Sequence, residues 1–323
     1  MRLLNVLSIA SVAIAAVTAG NALAQRDYPA KPIRLIVPFA PGGPSDILAR
    51  TVAQKLTEAV KQTVIVDNRA TASGTVGTDI AAKSPPDGYT MVLIGVGALT
   101  INAAMYPKLP YDTLRDLAPV SVLSSAPYIL VVHPSLPVKS LQQLIALAKA
   151  RPGQLNYASG GPGYLLGMEL LKEQTGMNIV YIPYKGAGPA MNDLIAGHVQ
   201  VMMVNMISGL TLAKSGRIRA IGVTSAQRSQ WAPELPTLEE TGAPGLDVKG
   251  QHLILVPSGT PRDMIARLHQ EIVNVLQAPE LKERLANEGA VVVGSTPEQA
   301  AALVRAELER WTRLVKRLRL TTD

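Results

Sequence analysis

The strongest constraint on this chain is a repeated change of period. Short apolar runs of strand length give way, through turns rich in glycine and proline, to apolar residues at helical spacing, nearly from end to end. Ile33–Val37 ends at Pro38 and is followed by Leu48, Val52 and Leu56, each four residues from the last. Apolar runs at 64–66 and 91–94 repeat the strand signal. A strand needs one face or both covered and a helix needs one stripe buried, so the alternation predicts an α/β fold with parallel sheets between helices. The runs at 120–123 and 129–132 read as two strands around Pro127. A second series follows: helix 141–150, strand 156–159, helix 165–175, strand 179–182, helix 190–196 and strand 199–205. The run 248–256 is long enough to cross between two domains.

The end of the chain reads as helices. Thr260-Pro261-Arg262-Asp263 and Thr296-Pro297-Glu298-Gln299 each put threonine where a helix is capped, proline at its first position and an acceptor three residues on. No internal repeat or low-complexity linker interrupts the order, so stiff strands should join the domains, with crossings near Pro127 and His252. The expected division is 25–127 and 252–323 in the first domain and 128–251 in the second.

The first residues bear on the compartment. Arg2, an apolar run from Leu3 to Val17 and then Ala22-Leu23-Ala24 have the pattern of a secretory leader over 1–24. The run is short for a bilayer span and no basic stop signal follows it. The chain has no cysteine, so a core rather than disulfides must hold the mature protein of roughly 300 residues, and thiol chemistry is excluded. The formal charge is +7, or +6 once Arg2 is removed with the leader. This positive balance is spread along the chain and suits small anionic ligands. With one Phe and two Trp there is no basic stripe interleaved with aromatics, so nucleic acid is not an expected partner.

Enzyme chemistry finds little support. His133, His198, His252 and His269 lie outside metal-ligand spacing of one another, and neither a nucleophile elbow nor a phosphate loop of the G-x-x-x-x-G-K type occurs. No cofactor or metal is expected. Ser159, in Tyr157-Ala158-Ser159-Gly160-Gly161, has no evident base, though a secreted hydrolase using it stays open as an alternative.

Four glycine-rich turns between strands and helices point to binding instead. In Phe39-Ala40-Pro41-Gly42-Gly43-Pro44-Ser45-Asp46, the paired glycines are read as adopting positive φ and bringing the backbone close to a ligand. The helix start offers N–H groups and partial positive charge, and Ser45 or Asp46 is a candidate cap. The same chemistry also makes a plain capped turn. The other three are Asn68 to Gly77 around Ser73, Ser159-Gly160-Gly161-Pro162-Gly163-Tyr164, and Pro183-Tyr184-Lys185-Gly186-Ala187-Gly188-Pro189. Ligands of open α/β sheets bind at the carboxyl ends of strands, so four such turns favour a cleft between domains.

At these residues the chain resembles the Bug family, the extracytoplasmic receptors of tripartite tricarboxylate transporters. The similarity is carried by Tyr28-Pro29 through Arg50, Pro86-Asp87-Gly88-Tyr89-Thr90, Leu109-Pro110-Tyr111-Asp112, Pro152-Gly153-Gln154-Leu155-Asn156-Tyr157-Ala158-Ser159, Pro183-Tyr184-Lys185-Gly186, Val223-Thr224-Ser225, Pro236-Thr237 and Gly294-Ser295-Thr296-Pro297. It spans the mature chain in order. The resemblance implies a two-domain periplasmic binding protein of flytrap type, with a ligand cleft between the domains. It also implies capture of a small organic carboxylate and delivery to membrane transporter subunits, by a monomer. A sensor's extracellular domain is an alternative partner. The implied cleft residues are Phe39, Ala40, Pro41, Gly42, Gly43, Ser45, Asp46, Ser73, Ser159, Gly160, Gly163, Tyr164, Tyr184, Lys185 and Asn205. The chain departs from the family where a longer loop ends in histidine and where Phe-Asp precedes Asn205. Tyr164, Leu165, Leu166 and Val204 stand at or near those places, so an aromatic or longer-chain acid is the expected ligand. Helix packing is the other role open to Tyr164 and Leu165.

Overall fold

The computed structural model describes residues 28–71 and 73–318; the expected leader lies outside them. The order begins β1 (Ile33–Val37), α1 (Pro44–Val60), β2 (Val64–Asn68), α2 (Thr75–Ala82), β3 (Thr90–Gly95), α3 (Val96–Met105) and β4 (Leu117–Val132). It continues with α4 (Leu141–Ala150), β5 (Asn156–Ser159), α5 (Pro162–Thr175), β6 (Val180–Pro183), α6 (Ala187–Ala196), β7 (Val201–Asn205), α7 (Met206–Lys214) and β8 (Arg219–Val223). It closes with β9 (Lys249–Pro257), α8 (Arg262–Leu276), α9 (Pro279–Asn287), β10 (Val291–Val292) and α10 (Pro297–Leu318).

β1 pairs in parallel with β2 and β3, and β5 in parallel with β6 and β7. Because both faces of β1 are covered, four of its five residues (Ile33, Leu35, Ile36 and Val37) are fully buried, which is why the strand reads as an unbroken apolar run. On α1, Leu48, Val52 and Leu56 form one buried stripe against it.

The two lobes are joined by β4 and β9. The strand order is β2-β1-β3-β9-β4-β7-β5-β6, with β8 and β10 also pairing with β4. From Leu117 to Pro127, β4 runs antiparallel to β9; from Tyr128 to Val132 it runs antiparallel to β7. The sequence predicts two strands around Pro127, but the structure has one strand of 16 residues. Proline cannot donate to a ladder, yet Pro127 sits where the ladder changes partner. The β4–β9 ladder has register shifts at Pro119/Ser121 and Val122/Ser124.

Helix starts differ from expectation in an informative way. α5 begins at Pro162 rather than 165 and α6 at Ala187 rather than 190. Each begins directly after a glycine, and proline fits a first turn that lacks N–H acceptors anyway, so residues read as turn already belong to the helix. Thr296 makes the expected reciprocal cap: Gln299 N donates to Thr296 Oγ1 (3.2 Å) and Thr296 N to Gln299 Oε1 (3.0 Å). Thr260 does not cap α8. Its hydroxyl donates to Pro257 O (2.8 Å), and Pro261 takes the cap position.

Candidate functional site

The strand-to-helix turns of both lobes meet at a largely enclosed cavity that offers about 40 Å³ to the centres of water-sized bodies. This is room for a few waters in the form described. One side is made by Phe39, Gly43, Pro44, Ser45 and Asp46 between β1 and α1, and by Gly95, Gly97 and Ala98 where β3 passes into α3. The facing side is Gly160, Gly161, Pro162, Gly163 and Tyr164 between β5 and α5, with Ala187 at the start of α6 and Asn205 at the end of β7. Tyr128 of β4 and Gly250, Gln251 and His252 of β9 complete it. Five helices, α1, α3, α5, α6 and α7, therefore begin at this cavity, with the positive ends of their dipoles there.

The first turn is held by Asp46. Its carboxylate accepts from Gly42 N (3.0 Å) and Asn68 Nδ2 (3.0 Å) and pairs with Arg50 at 3.0 Å. Burial opposes its charge, but the hydrogen bonds from Arg50, Gly42 and Asn68 outweigh burial and keep its pKa below the ordinary value. Gly42 has φ 83, the conformation expected of this turn. Gly43 does not share it: its φ is −85 and it takes the N-cap position of α1 without any side-chain cap. Neither Ser45 nor Asp46 is the cap. Asp46 reaches back to Gly42 instead and leaves the helix start to the cavity.

Across the cavity, the buried Ser159 hydroxyl donates to Gly161 O (2.9 Å) and accepts from Gly161 N (3.4 Å), which fixes the second turn. Among the described residues no histidine hydrogen-bonds it: His133 meets Ser135, His198 meets Asp193 and His269 meets Ser295. Tyr164 packs on Tyr128 with ring centroids 4.8 Å apart, and burial pushes both phenols upward in pKa. Leu165, Leu166 and Val204, expected near the pocket, are not in its wall. Successive helical residues turn by about 100°, so Leu166 faces the core. Strand residues alternate, so Val204 faces away when Asn205 faces in. Asn205 Oδ1 caps α7 by accepting from Ile207 N (3.0 Å), while its Nδ2 meets no partner among the described residues.

Seven further expected residues lie outside the wall: Ser159, which fixes the turn behind it, and six others. Ala40 N donates to Lys185 O (3.1 Å), so Ala40 and Lys185 join the two lobes through their backbones, and the Lys185 side chain is exposed. Pro41 and Gly42 lie against Gly188. Ser73 Oγ meets Thr75 Oγ1 (3.3 Å), and its turn supports Phe39, whose ring would lie 2.8 Å from a Cβ on Gly74. Tyr184 OH donates to Asp193 (2.6 Å). The residues sequence reasoning missed are Gly95, Gly97, Ala98, Tyr128, Gly250, Gln251 and His252. The first three form a glycine-containing turn of the kind already recognised and were legible. The others are set by strand register, for which the sequence carries no local signal.

Among the described residues, no three His, Asp or Glu side chains cluster to hold a metal, and no helix is long and apolar enough to cross a membrane. The model of the family described as the tripartite tricarboxylate transporter family receptor matches residues 48–320. Protein BugT of Bordetella pertussis is 38% identical over 320 residues, 98% of each chain. A solved structure of the R. palustris protein Rpa4515 with adipate is 35% identical and covers 91% of this chain and 99% of its own, at a TM-score of 0.87. MatC from Rhodopseudomonas palustris with bound malate is 28% identical and covers 89% of this chain and all of its own, at 0.85. The joined lobes, the cleft of helix starts and these similarities along nearly the whole length have one reading: the chain belongs to the Bug-type receptors of tripartite tricarboxylate transporters, with the two-domain α/β fold of periplasmic binding proteins.

Proposed function

We propose that this receptor captures a small organic carboxylate in the periplasm, after removal of the leader at 1–24, and delivers it to the membrane subunits of its transporter. The observation that carries the ligand class is the convergence of five helix starts on a cavity whose wall has no lysine or arginine. Backbone N–H groups and helix dipoles then supply the donors for one carboxylate. Charge-assisted hydrogen bonds contribute about 1.5–3 kcal/mol each, so a few, less the cost of closure, reach micromolar affinity at about −8 kcal/mol. The adipate and malate held by the two similar R. palustris proteins support the same class.

No bond is made or broken in this reading, and Ser159 serves its own turn rather than a substrate. The first domain is 25–127 with 252–323 and the second 128–251, a division supported by the exchange of β4 partners between Pro127 and Tyr128. The protein acts as a monomer whose domains close on the ligand. Within the acids, we favour an aromatic or longer-chain body. Phe39, Tyr128 and Tyr164 offer apolar area worth about 25 cal/mol per Å², whereas a second buried charge without a cation costs several kcal/mol. The lobes must part beyond the form described to admit such a body.

Titration calorimetry against a carboxylate panel tests both levels. Saturable micromolar binding of at least one acid is expected, with benzoate-like or adipate-like acids ahead of malate and citrate. Tighter malate or citrate would remove the apolar preference, and no binding by any acid would remove the ligand class.

A further inference from the structure

His252 is 3% exposed and stands on β9 in the cavity wall, between Gly95 of β3 and Ser124 of β4. Its Nδ1 meets no hydrogen-bond partner among the described residues; neither does Ser124 Oγ, its neighbour across the ladder, nor Asn205 Nδ2. Gly250, two residues earlier, shares the His252 face of β9, and a Cβ there would overlap the Asn205 amide nitrogen. The Asn205 amide and the imidazole are thus neighbours on one wall: the absent side chain at Gly250 makes room for the amide, and a Cβ on Gly95 would meet nothing nearer than Gln251 O at 3.8 Å. The bond from Ile207 N to Asn205 Oδ1 fixes which end of the amide points inward. Buried polar groups are nearly always partnered, so three unpartnered ones gathered here are an exception that needs a cause.

We propose that His252, together with Asn205, determines specificity at the far end of the cleft: the pair receives a second polar end of the ligand in uncharged or proton-sharing form, so that a diacid binds together with one proton. The inference rests on the carboxylate reading above and deepens it. Burial holds the imidazole neutral, its pKa lowered to about 4. The titratable groups around it do not oppose this. Asp46 of α1 is occupied by Arg50, Asn68 and Gly42; Tyr128 of β4 and Tyr164 of α5 are raised by burial. Glu307 of α10, which acts on Tyr128, is paired with Arg310 at 3.3 Å. This end of the wall therefore offers the imidazole Nδ1, a donor or an acceptor by tautomer, and amide hydrogens, with no formal charge on either group. A hydroxyl, a carboxamide or a protonated acid matches it. An ionised second carboxylate matches only if a proton from solvent comes with it, held on the ligand or on the ring, and that proton returns to solvent on release.

The test is calorimetry with matched straight-chain pairs, butyrate against succinate and hexanoate against adipate, near neutral pH in buffers of different ionisation enthalpy. The expected result is uptake of about one proton per diacid and none per monoacid, with diacid affinity falling up to about tenfold per pH unit as pH rises. In His252→Phe, the ratio of diacid to monoacid affinity should fall at least tenfold. Diacid binding without proton uptake, or an unchanged ratio in the variant, overturns the inference and leaves the carboxylate reading standing. Failure of the wild-type protein to bind every acid of both pairs overturns the reading and the inference with it. Proton uptake is read on the wild-type protein, so the test stands even if the variant does not fold.

Discussion

Asp46 is 4% exposed yet serves as a hub for the first turn, because Gly42 N, Asn68 and Arg50 all converge on it. Removing it strands those donors. Asp46→Ala should cost about 2 kcal/mol in urea denaturation, the range for hydrogen bonds to a charged group whose cation partner is itself half-exposed. The pH dependence follows from the sign of the shift. A carboxylate whose folded pKa lies below its ordinary 3.8 contributes stability that is complete above that value and is lost as pH falls through the folded value. The gap between wild type and Asp46→Asn should therefore be widest above about pH 5 and shrink on acidification below the ordinary carboxylate range. A gap that grows as pH falls would mean that Asp46 is not held charged by its neighbours. The same network accounts for a failed expectation. Asp46 suits an N-cap by type, but it turns back to Gly42, and the helix start it vacates belongs to the cavity wall.

At the scale of elements, α10 is anchored by its own cap and by Ser295, whose hydroxyl accepts from Val122 N (2.9 Å) and whose carbonyl accepts from Ser121 Oγ (2.8 Å). Thr296→Ala should lower stability by about 1 kcal/mol in denaturant melts, with Gln299→Ala adding less than its single effect because both serve one reciprocal pair. Full additivity would show that the two bonds are independent. The contrast with Thr260 marks what the sequence can express. Two threonine–proline starts look alike, but only Thr296, the residue just before α10, is fixed by a side chain reaching back. The alternation of elements was legible because burial imposes a period on every strand and helix. The continuity of β4 through Pro127 was not, because it depends on which strand lies alongside. The site divides in the same way. Glycine turns announce themselves at 39–46 and 159–164, whereas Tyr128 enters the wall through the register of β4 against β7 and His252 through that of β9 against β3 and β4. Chemistry of the right type also misleads where direction is set elsewhere: Tyr184 goes to Asp193, and the Lys185 side chain stays outside.

For the whole molecule, the turn from Ala40 to Gly43 meets the opposite lobe mainly through backbone, while side chains such as Arg317 and Glu173 (3.2 Å) cross elsewhere. Ala40 N reaches Lys185 O, and the turn from Pro41 to Gly43 lies against Ala187 and Gly188 at the start of α6. A Cβ on Gly188 would overlap the Pro41 carbonyl oxygen, while a Cβ on Gly43 would make only ordinary contact, 3.5 Å from Ala187 Cβ. Gly188 is helical and has no positive φ, so alanine suits its own backbone and favours the helix by up to about 1 kcal/mol. The overlap exists only when the lobes meet. Gly188→Ala should therefore fold with wild-type or slightly higher stability in the absence of carboxylate, yet lose at least tenfold in affinity for whichever acid the wild-type protein binds. Small-angle scattering should show the wild type contracting with ligand and the variant failing to contract. Wild-type affinity in a normally folded Gly188→Ala protein would mean that these two turns need not approach so closely, and closure would have to be assigned to other contacts, such as those between α3 and α5.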